Sequence, residues 1–221
     1  MTGMPWQVKG EKETFPASAL TATVLCERHN NALAPIDQFG LRTFNAIIEA
    51  CDYALGSRHS GRVLHSLISG DGMELWLYKL LAGIHFGGIA AADGGLLRDT
   101  CSFPLDELVT SLTTGTLPDQ AGFWIASNLG LVERGHISVG PLIDAAKNSN
   151  VGVQVRFGPI QFEATLVAPA ITTSHLEKLA PMKRPRILDF VGPARDSRVI
   201  LSWPGLAREV RRLEVKLEPQ D

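Results

Sequence analysis

Cysteine is scarce in this chain of 221 residues: there are three, Cys26, Cys51 and Cys101. An odd, small number cannot all pair within one chain, so a disulfide-stapled framework is excluded as the organising principle. The start, MTGMPWQVKGEKE, lacks the apolar stretch of a signal peptide, and together with the cysteine usage this predicts a cytoplasmic, reduced protein. Long hydrophobic runs are also missing. The longest, Leu75 to Ala92, is broken by Tyr78, Lys79, His85 and several glycines, which predicts no membrane span. Neither sign of charge dominates, with 21 Lys and Arg against 23 Asp and Glu for a net charge of -2. The broad attraction that lets strongly basic domains hold phosphate backbones is therefore absent, and nucleic acid would need a local patch. No Gly-x-Ser-x-Gly elbow and no phosphate-binding Gly-x-x-x-x-Gly-Lys-Ser/Thr loop occurs, which removes the commonest hydrolase and nucleotide-binding signatures.

What is present is the composition of a packed globular chain, 45% hydrophobic and 20% charged, too apolar for intrinsic disorder. Residues 1–19 mix Pro, Gly, Lys and Glu without period and read as an exposed lead-in. The β-branched segment TATVLC, 21–26, reads as a strand. Leu41, Phe44, Ile47, Ile48, Cys51 and Leu55 recur at three- and four-residue steps, predicting a helix with those residues on its inner face. RVLHSLISG reads as a strand, followed by a nearly all-apolar helix from about Gly72 to Phe86 with Asp71 as its N-cap. A short amphipathic helix is predicted over Pro104 to Leu112. From His136 the period changes to two: HISVGPLI, VQVRF and QFEATLV read as strands, the last two as a hairpin turning at Gly158-Pro159, and RVILSW adds another. SHLEKLAP predicts a helical turn, and the tail after Leu206 reads as a charged amphipathic helix. The fold class that follows is α+β, a knuckle-like turn and helices first and an antiparallel sheet after, in a single domain over 20–221.

The most specific local signal is Cys26-Glu27-Arg28-His29-Asn30, between a predicted strand and a predicted helix. Two residues between ligands let a tight turn aim a thiolate and an imidazole at one metal ion, and that donor pair suits zinc. Cys26 and His29 are thus candidate metal ligands, and Asn30 and Asp37 candidates to cap the helix or orient the imidazole. A structural zinc takes four ligands. His59, His65, Cys51 and Cys101 are the residues left to complete the set, without a second paired spacing among them. The other reading of the same residues is a buried Cys26 and a turn residue His29 with no metal.

VLCERHNNALAPID followed by a Phe-containing helix resembles the second half of an HNH-type treble-clef module of bacterial proteins, in which Cys-x2-Cys or Cys-x2-His ending in Asn leads into the knuckle helix. GDGMELWLYKLLAGIHFGG is similar to a helix that follows in long members, so the resemblance spans most of residues 15–170. It implies a treble-clef-like remnant at 20–60, a buried helical part at 61–115 and a β-rich part with a basic tail at 116–221. An HNH-type nuclease also carries an upstream cysteine pair and an Asp/Glu-His dipeptide whose imidazole activates water. Residues 1–25 hold neither cysteine nor histidine, and no catalytic residue is assigned. The function expected on this resemblance is a non-catalytic remnant that binds nucleic acid or a protein partner. The alternatives are a metal-dependent nuclease subunit completed by an upstream segment or a partner chain, and a structural or oligomerisation protein without metal.

Two further groups of residues carry candidate chemistry. Glu74, Lys79 and His85 are the polar residues of an otherwise apolar helix; they read either as margin and core residues or as a polar cleft that forms on folding. Lys183, Arg184 and Arg186 interleave with prolines, and Arg208, Arg211 and Arg212 follow, a cationic bias able to hold phosphates. The carboxylates among them give the competing reading of a solvated face.

Overall fold

The computed structural model describes residues 27–56, 62–87, 95–118, 121–127, 137–168, 181–193, 195–204 and 210–218, the His29 side chain excepted. The predicted strand at 21–26, the exposed lead-in and all but Pro181 of the helical turn at 174–181 lie outside these residues. The fold is α+β. Helix α1 runs over Glu27–Ala54, through Pro35, so the segment expected as a turn after Cys26 is helical from Glu27. Its inner stripe is rotated from the one its large apolar residues suggested. Gly40, Thr43, Ala46, Ile47, Ala50 and Ala54 are buried, whereas Leu41 is 53% and Ile48 45% exposed. Small residues win the inner positions because they let the helix axis approach its neighbours closely. The Ser197 hydroxyl reaches in to donate to the Ala50 carbonyl at 2.7 Å.

Strand β1 (Leu64–Ser69) leads directly into α2 (Gly70–Phe86). The N-cap is Ser69, two residues earlier than the expected Asp71: its Oγ accepts from the Gly72 amide at 3.1 Å and donates to Asp71 Oδ1 at 2.6 Å. Asp71 serves instead as a first-turn carboxylate, favoured by the positive end of the helix. The short α3 (Leu97–Thr100) and α4 (Leu105–Thr114) follow; α4 starts after Pro104 with Asp106 and Glu107 in its first turn, as its sequence suggested.

Where one antiparallel sheet was expected, two form. Strands β2 (Gly122–Ser127), β3 (Ile137–Asp144), β4 (Ser149–Phe157), β5 (Ile160–Thr165) and β6 (Met182–Lys183) build an antiparallel sheet in the order β3-β4-β5-β2-β6. The β4–β5 hairpin pairs Phe157 with Ile160 and Val155 with Phe162, turning at Gly158-Pro159. The second sheet is mixed. β7 (Ile187–Val191), β8 (Asp196–Ser202) and β9 (Arg212–Lys216) join β1 in the order β1-β8-β7-β9, with β1 parallel to β8 and β9 parallel to β7. β1, between the two long helices in chain order, takes one edge of this sheet and β9 the other. β9 is the tail that charge pattern suggested as a helix. Leu213 and Val215 are buried while Arg212, Glu214 and Lys216 are exposed, a period of two that only a strand satisfies.

One hydrophobic core links the sheets and helices, running from Ile47 through Leu77, Phe123 and Phe162 to Leu188 and Val215. The sheets meet where Trp203 lies 5.5 Å from the Phe123 ring and Ser127 Oγ donates to the Glu214 carbonyl at 2.8 Å. The two long helices cross by exchanging rings for glycines. A Cβ at Gly40 of α1 would come 2.5 Å from the Trp76 indole of α2, and a Cβ at Gly72 of α2 would come 2.5 Å from the Phe39 ring of α1.

Alanine improves intrinsic helix propensity over glycine by about 1 kcal/mol. Here Gly40→Ala and Gly72→Ala are nevertheless expected to destabilise the fold, each by ~1–3 kcal/mol from overpacking. Urea unfolding midpoints check this, and unchanged or raised midpoints would show that the rings swing away at no cost.

Candidate functional site

The charges that sequence placed on α2 are drawn into its packing. Glu74 has no exposed surface and faces Arg184, itself 8% exposed. The guanidinium grips the carboxylate in a fork, Nε to Oε2 and Nη2 to Oε1, both at 2.9 Å, and Nη2 also donates to the Pro118 carbonyl at 3.0 Å. One turn along α2, the Tyr78 hydroxyl donates to Glu74 Oε1 at 2.6 Å and lies 3.2 Å from the Thr165 carbonyl. Burial, and then the Glu74 charge beside it, push the Tyr78 hydroxyl far above the ordinary phenol range, so it is a fixed neutral donor. Two backbone conformations make room. Arg184 sits at φ 43 with its amide donating to the Phe123 carbonyl at 2.9 Å, and Gly122 sits at φ 114, where a Cβ would come 2.6 Å from Arg184 Nη2 and 3.0 Å from Glu74 Oε1. Arg184 therefore belongs to the interior, which corrects its assignment to a phosphate-binding patch.

Lys79 and His85 have other partners. Lys79 Nζ pairs with Asp37 at 2.7 Å and donates to the Leu33 carbonyl at 3.2 Å, tying α2 to the first half of α1. Asp37 is thus a bridging residue far inside α1 and does not cap it; Asn30, the fourth residue of the helix, is exposed. His85 is buried, stacked on Phe103 with centroids 4.4 Å apart, its Nδ1 3.5 Å from the Asn150 amide nitrogen. Burial holds its basicity below the usual imidazole value. Glu74, Lys79 and His85 each have their own surroundings and do not converge on one cleft.

Of the candidate metal ligands, Cys26, His59 and the His29 side chain lie outside the described residues. Cys51 and Cys101 are half-buried and form no disulfide among the described residues, and Cys101 lies 3.6 Å from Asn148 Oδ1. His65 is exposed on β1. Among the described residues no group of three or more His, Cys, Asp and Glu side chains is placed to hold a metal ion, and no helix is long and apolar enough to cross a membrane.

Two sheet faces carry polar groups that the sequence did not single out. All six residues of β5 are buried. Ile160, Phe162 and Ala164 belong to the hydrophobic core, while Gln161, Glu163 and Thr165 alternate onto the opposite face. There the pairing register sets Gly140, Gln154, Glu163, Trp124 and Lys183 in one row across the five strands, with Lys183 Nζ 5.7 Å from the centre of the Trp124 ring. Gln161 Nε2 donates to Glu163 Oε1, and Glu163 Oε2 has no hydrogen-bond partner among the described residues. Burial raises the Glu163 carboxyl above its ordinary range, the Gln161 bond opposing that rise.

The outer face of the four-stranded sheet is exposed along its edge strands β1 and β9 and half-buried at Ile187, Asp189, Arg198 and Ile200 of the central strands. Register gives one row of Leu67, Ile200, Ile187 and Arg212 and a second of His65, Arg198, Asp189 and Glu214. Leu67 is 73% exposed. Asp189 Oδ1 accepts from Arg198 Nε at 2.5 Å, its Oδ2 lies 3.8 Å from Arg212, and Lys216 lies 3.7 Å from Glu214. Three cations (Arg198, Arg212, Lys216) thus stand among three carboxylates (Asp189, Asp196, Glu214). The predicted basic residues divide between places: Lys183 on the five-stranded sheet, Arg184 inside, Arg186 half-exposed with its amide on the Arg211 carbonyl, Arg211 and Arg212 exposed beside β7. Arg208 lies outside the described residues. Compared with protein-family models, with curated proteins and with solved structures, the chain finds no match.

Removing one partner of the buried pair leaves the other charged and unsolvated. Glu74→Ala is expected to cost ~3–5 kcal/mol, and the Glu74→Met, Arg184→Met double variant to cost clearly less than Glu74→Ala and Arg184→Met summed. A double-mutant cycle in urea checks this, and additive losses would show that the groups do not interact.

For Glu163 the sign is set by its raised value. The contribution to stability is fully present below the unfolded carboxyl range and is lost as pH rises through the folded value. Glu163→Gln is therefore expected to raise the unfolding midpoint at pH 7 relative to wild type, with the gain shrinking as pH falls toward 4. A gain that is the same at both pH values would mean the carboxyl is not the source.

Proposed function

We propose that the chain is a non-catalytic binding module, HNH-like through its Cys26 to Asp37 segment, and that its partner is a protein. The observation that carries this reading is the outer face of the four-stranded sheet, where a row ending in Leu67 at 73% exposure lies beside in-register ion pairs. Apolar side chains standing in water beside ordered charges of both signs are the makings of a protein interface. Phosphate backbones ask for unopposed cations, and here each of Arg198, Arg212 and Lys216 has a carboxylate within 4 Å. The interior position of Arg184 and the stacking of Lys183 on Trp124 weaken the nucleic-acid reading further. That Cys51 and Cys101 form no disulfide among the described residues fits a reducing cytoplasmic compartment.

The test is titration of the purified full chain against fluorescent single- and double-stranded DNA and RNA, with and without Mg²⁺, Mn²⁺ or Zn²⁺, at low and physiological salt. The expected result is intact oligonucleotide and binding that is weak at low salt and gone at physiological salt. Saturable binding that survives physiological salt overturns the protein-partner reading. Metal-dependent cleavage that disappears in His29→Ala overturns the non-catalytic reading in favour of a nuclease.

A further inference from the structure

We propose that the partner of the four-stranded face is a second copy of this chain, docked about a twofold axis that runs along the strands between β8 and β7. The inference rests on the protein-partner reading above and deepens it. Such an axis exchanges the strand order β1-β8-β7-β9 with its reverse and leaves height along the strands unchanged. β8 then faces β7 of the second copy and β1 faces β9. Read from the register, Ile200 meets Ile187 of the second copy, Arg198 meets Asp189, His65 meets Glu214, and Leu67 meets the aliphatic stem of Arg212. No pair of like charges is opposed.

A twofold in the plane of the face can instead run across the strands through the charged row. It would stack Arg198 on Arg198 and Asp189 on Asp189, and juxtaposed like charges disfavour it. Charge pattern therefore favours the first arrangement over this one. Opposed sheets pack about 10 Å apart with strands nearly aligned, which the first axis satisfies. The Arg198–Asp189 pair of each copy then closes into a four-charge network across the interface.

The size of the face sets the strength. Four strands about 4.8 Å apart and three rows about 6.7 Å apart give roughly 400 Å² for each copy. That falls in the range of weak, reversible associations, so the dimer is concentration-dependent.

Sedimentation equilibrium of the full chain over a wide concentration range is the test, with two substitutions at Leu67, whose exposure makes either tolerable to the fold. Within one chain Leu67 and Arg212 lie on opposite edges of the sheet, about 14 Å apart across three strand spacings. Only between chains can residue 67 feel Arg212. Leu67→Lys is expected to weaken the dimer roughly tenfold through two symmetry-related repulsions, while Leu67→Glu holds or tightens it. Adding Arg212→Glu to Leu67→Lys is expected to restore association. A wild-type chain that stays monomeric at every concentration refutes the dimer, and so does an equal response to both signs at Leu67. Either refutation leaves the oligonucleotide titration standing, so failure of self-association is distinguishable from failure of the protein-partner reading.

Discussion

The pair of Glu74 and Arg184 is the interaction on which the arrangement of α2 depends. Taking two ions out of water costs several kcal/mol for each, and attraction alone does not return it without full hydrogen bonding. Here the fork geometry, the Tyr78 hydroxyl and the Pro118 carbonyl supply that bonding. The left-handed backbone of Arg184 and the bare Cα of Gly122 are the steric conditions for it. The pair acts together with the seating of Phe39 on Gly72 and of Trp76 on Gly40 and with the Lys79–Asp37 pair, which hold α2 against α1. A buried carboxylate that is satisfied at one place only adds a fixed point on the side of the five-stranded sheet, which is the kind of register role best attested for buried polar groups.

The same pair shows why the candidate cleft could not be read from sequence. Glu74 and Tyr78 are four residues apart and visibly share a helix face, but the partner that decides their role is 110 residues away. Local pattern carries information where the period and its boundaries agree, as in β4, the Gly158-Pro159 turn and β5, or in α2. It fails where two periods fit the same letters. Arg211 to Lys216 alternates charge and apolar residues in a way that serves a short helix and a strand alike, and only the parallel place beside β7 decides. The inner stripe of α1 failed for a different reason: side-chain size dominated the reading, whereas close approach of helix to sheet selects alanine and glycine. The knuckle-like signal at Cys26 and His29 is the part of the sequence reading on which the HNH resemblance rests, and its His29 falls in the first turn of α1.

Alternation also hides what a second face does. In β5 the odd positions Gln161, Glu163 and Thr165 read as solvent-facing, yet all are buried. Glu163 then holds one bonded and one unbonded carboxyl oxygen, a costly state relieved by keeping the proton. His85 is costly in the opposite sense, since burial disfavours its protonated form. The two oppose each other with pH, so neither acid nor base alone relaxes the interior.

Exposed ion pairs of the kind found on the four-stranded sheet contribute at most ~1 kcal/mol each to folding. Stability is thus a poor account of why Arg198, Asp189, Arg212 and Glu214 stand in adjacent rows. What such rows do control is which surface can be laid against them, because a misplaced charge costs more on apposition than a matched one returns. The edges of the same sheet are treated differently from its face. β9 carries Arg212, Glu214 and Lys216, and its Glu214 carbonyl is taken by the Ser127 hydroxyl, both of which discourage strand addition at the edge. Edge pairing is thus blunted at β9, while the face carries the one row in which Leu67 stands exposed.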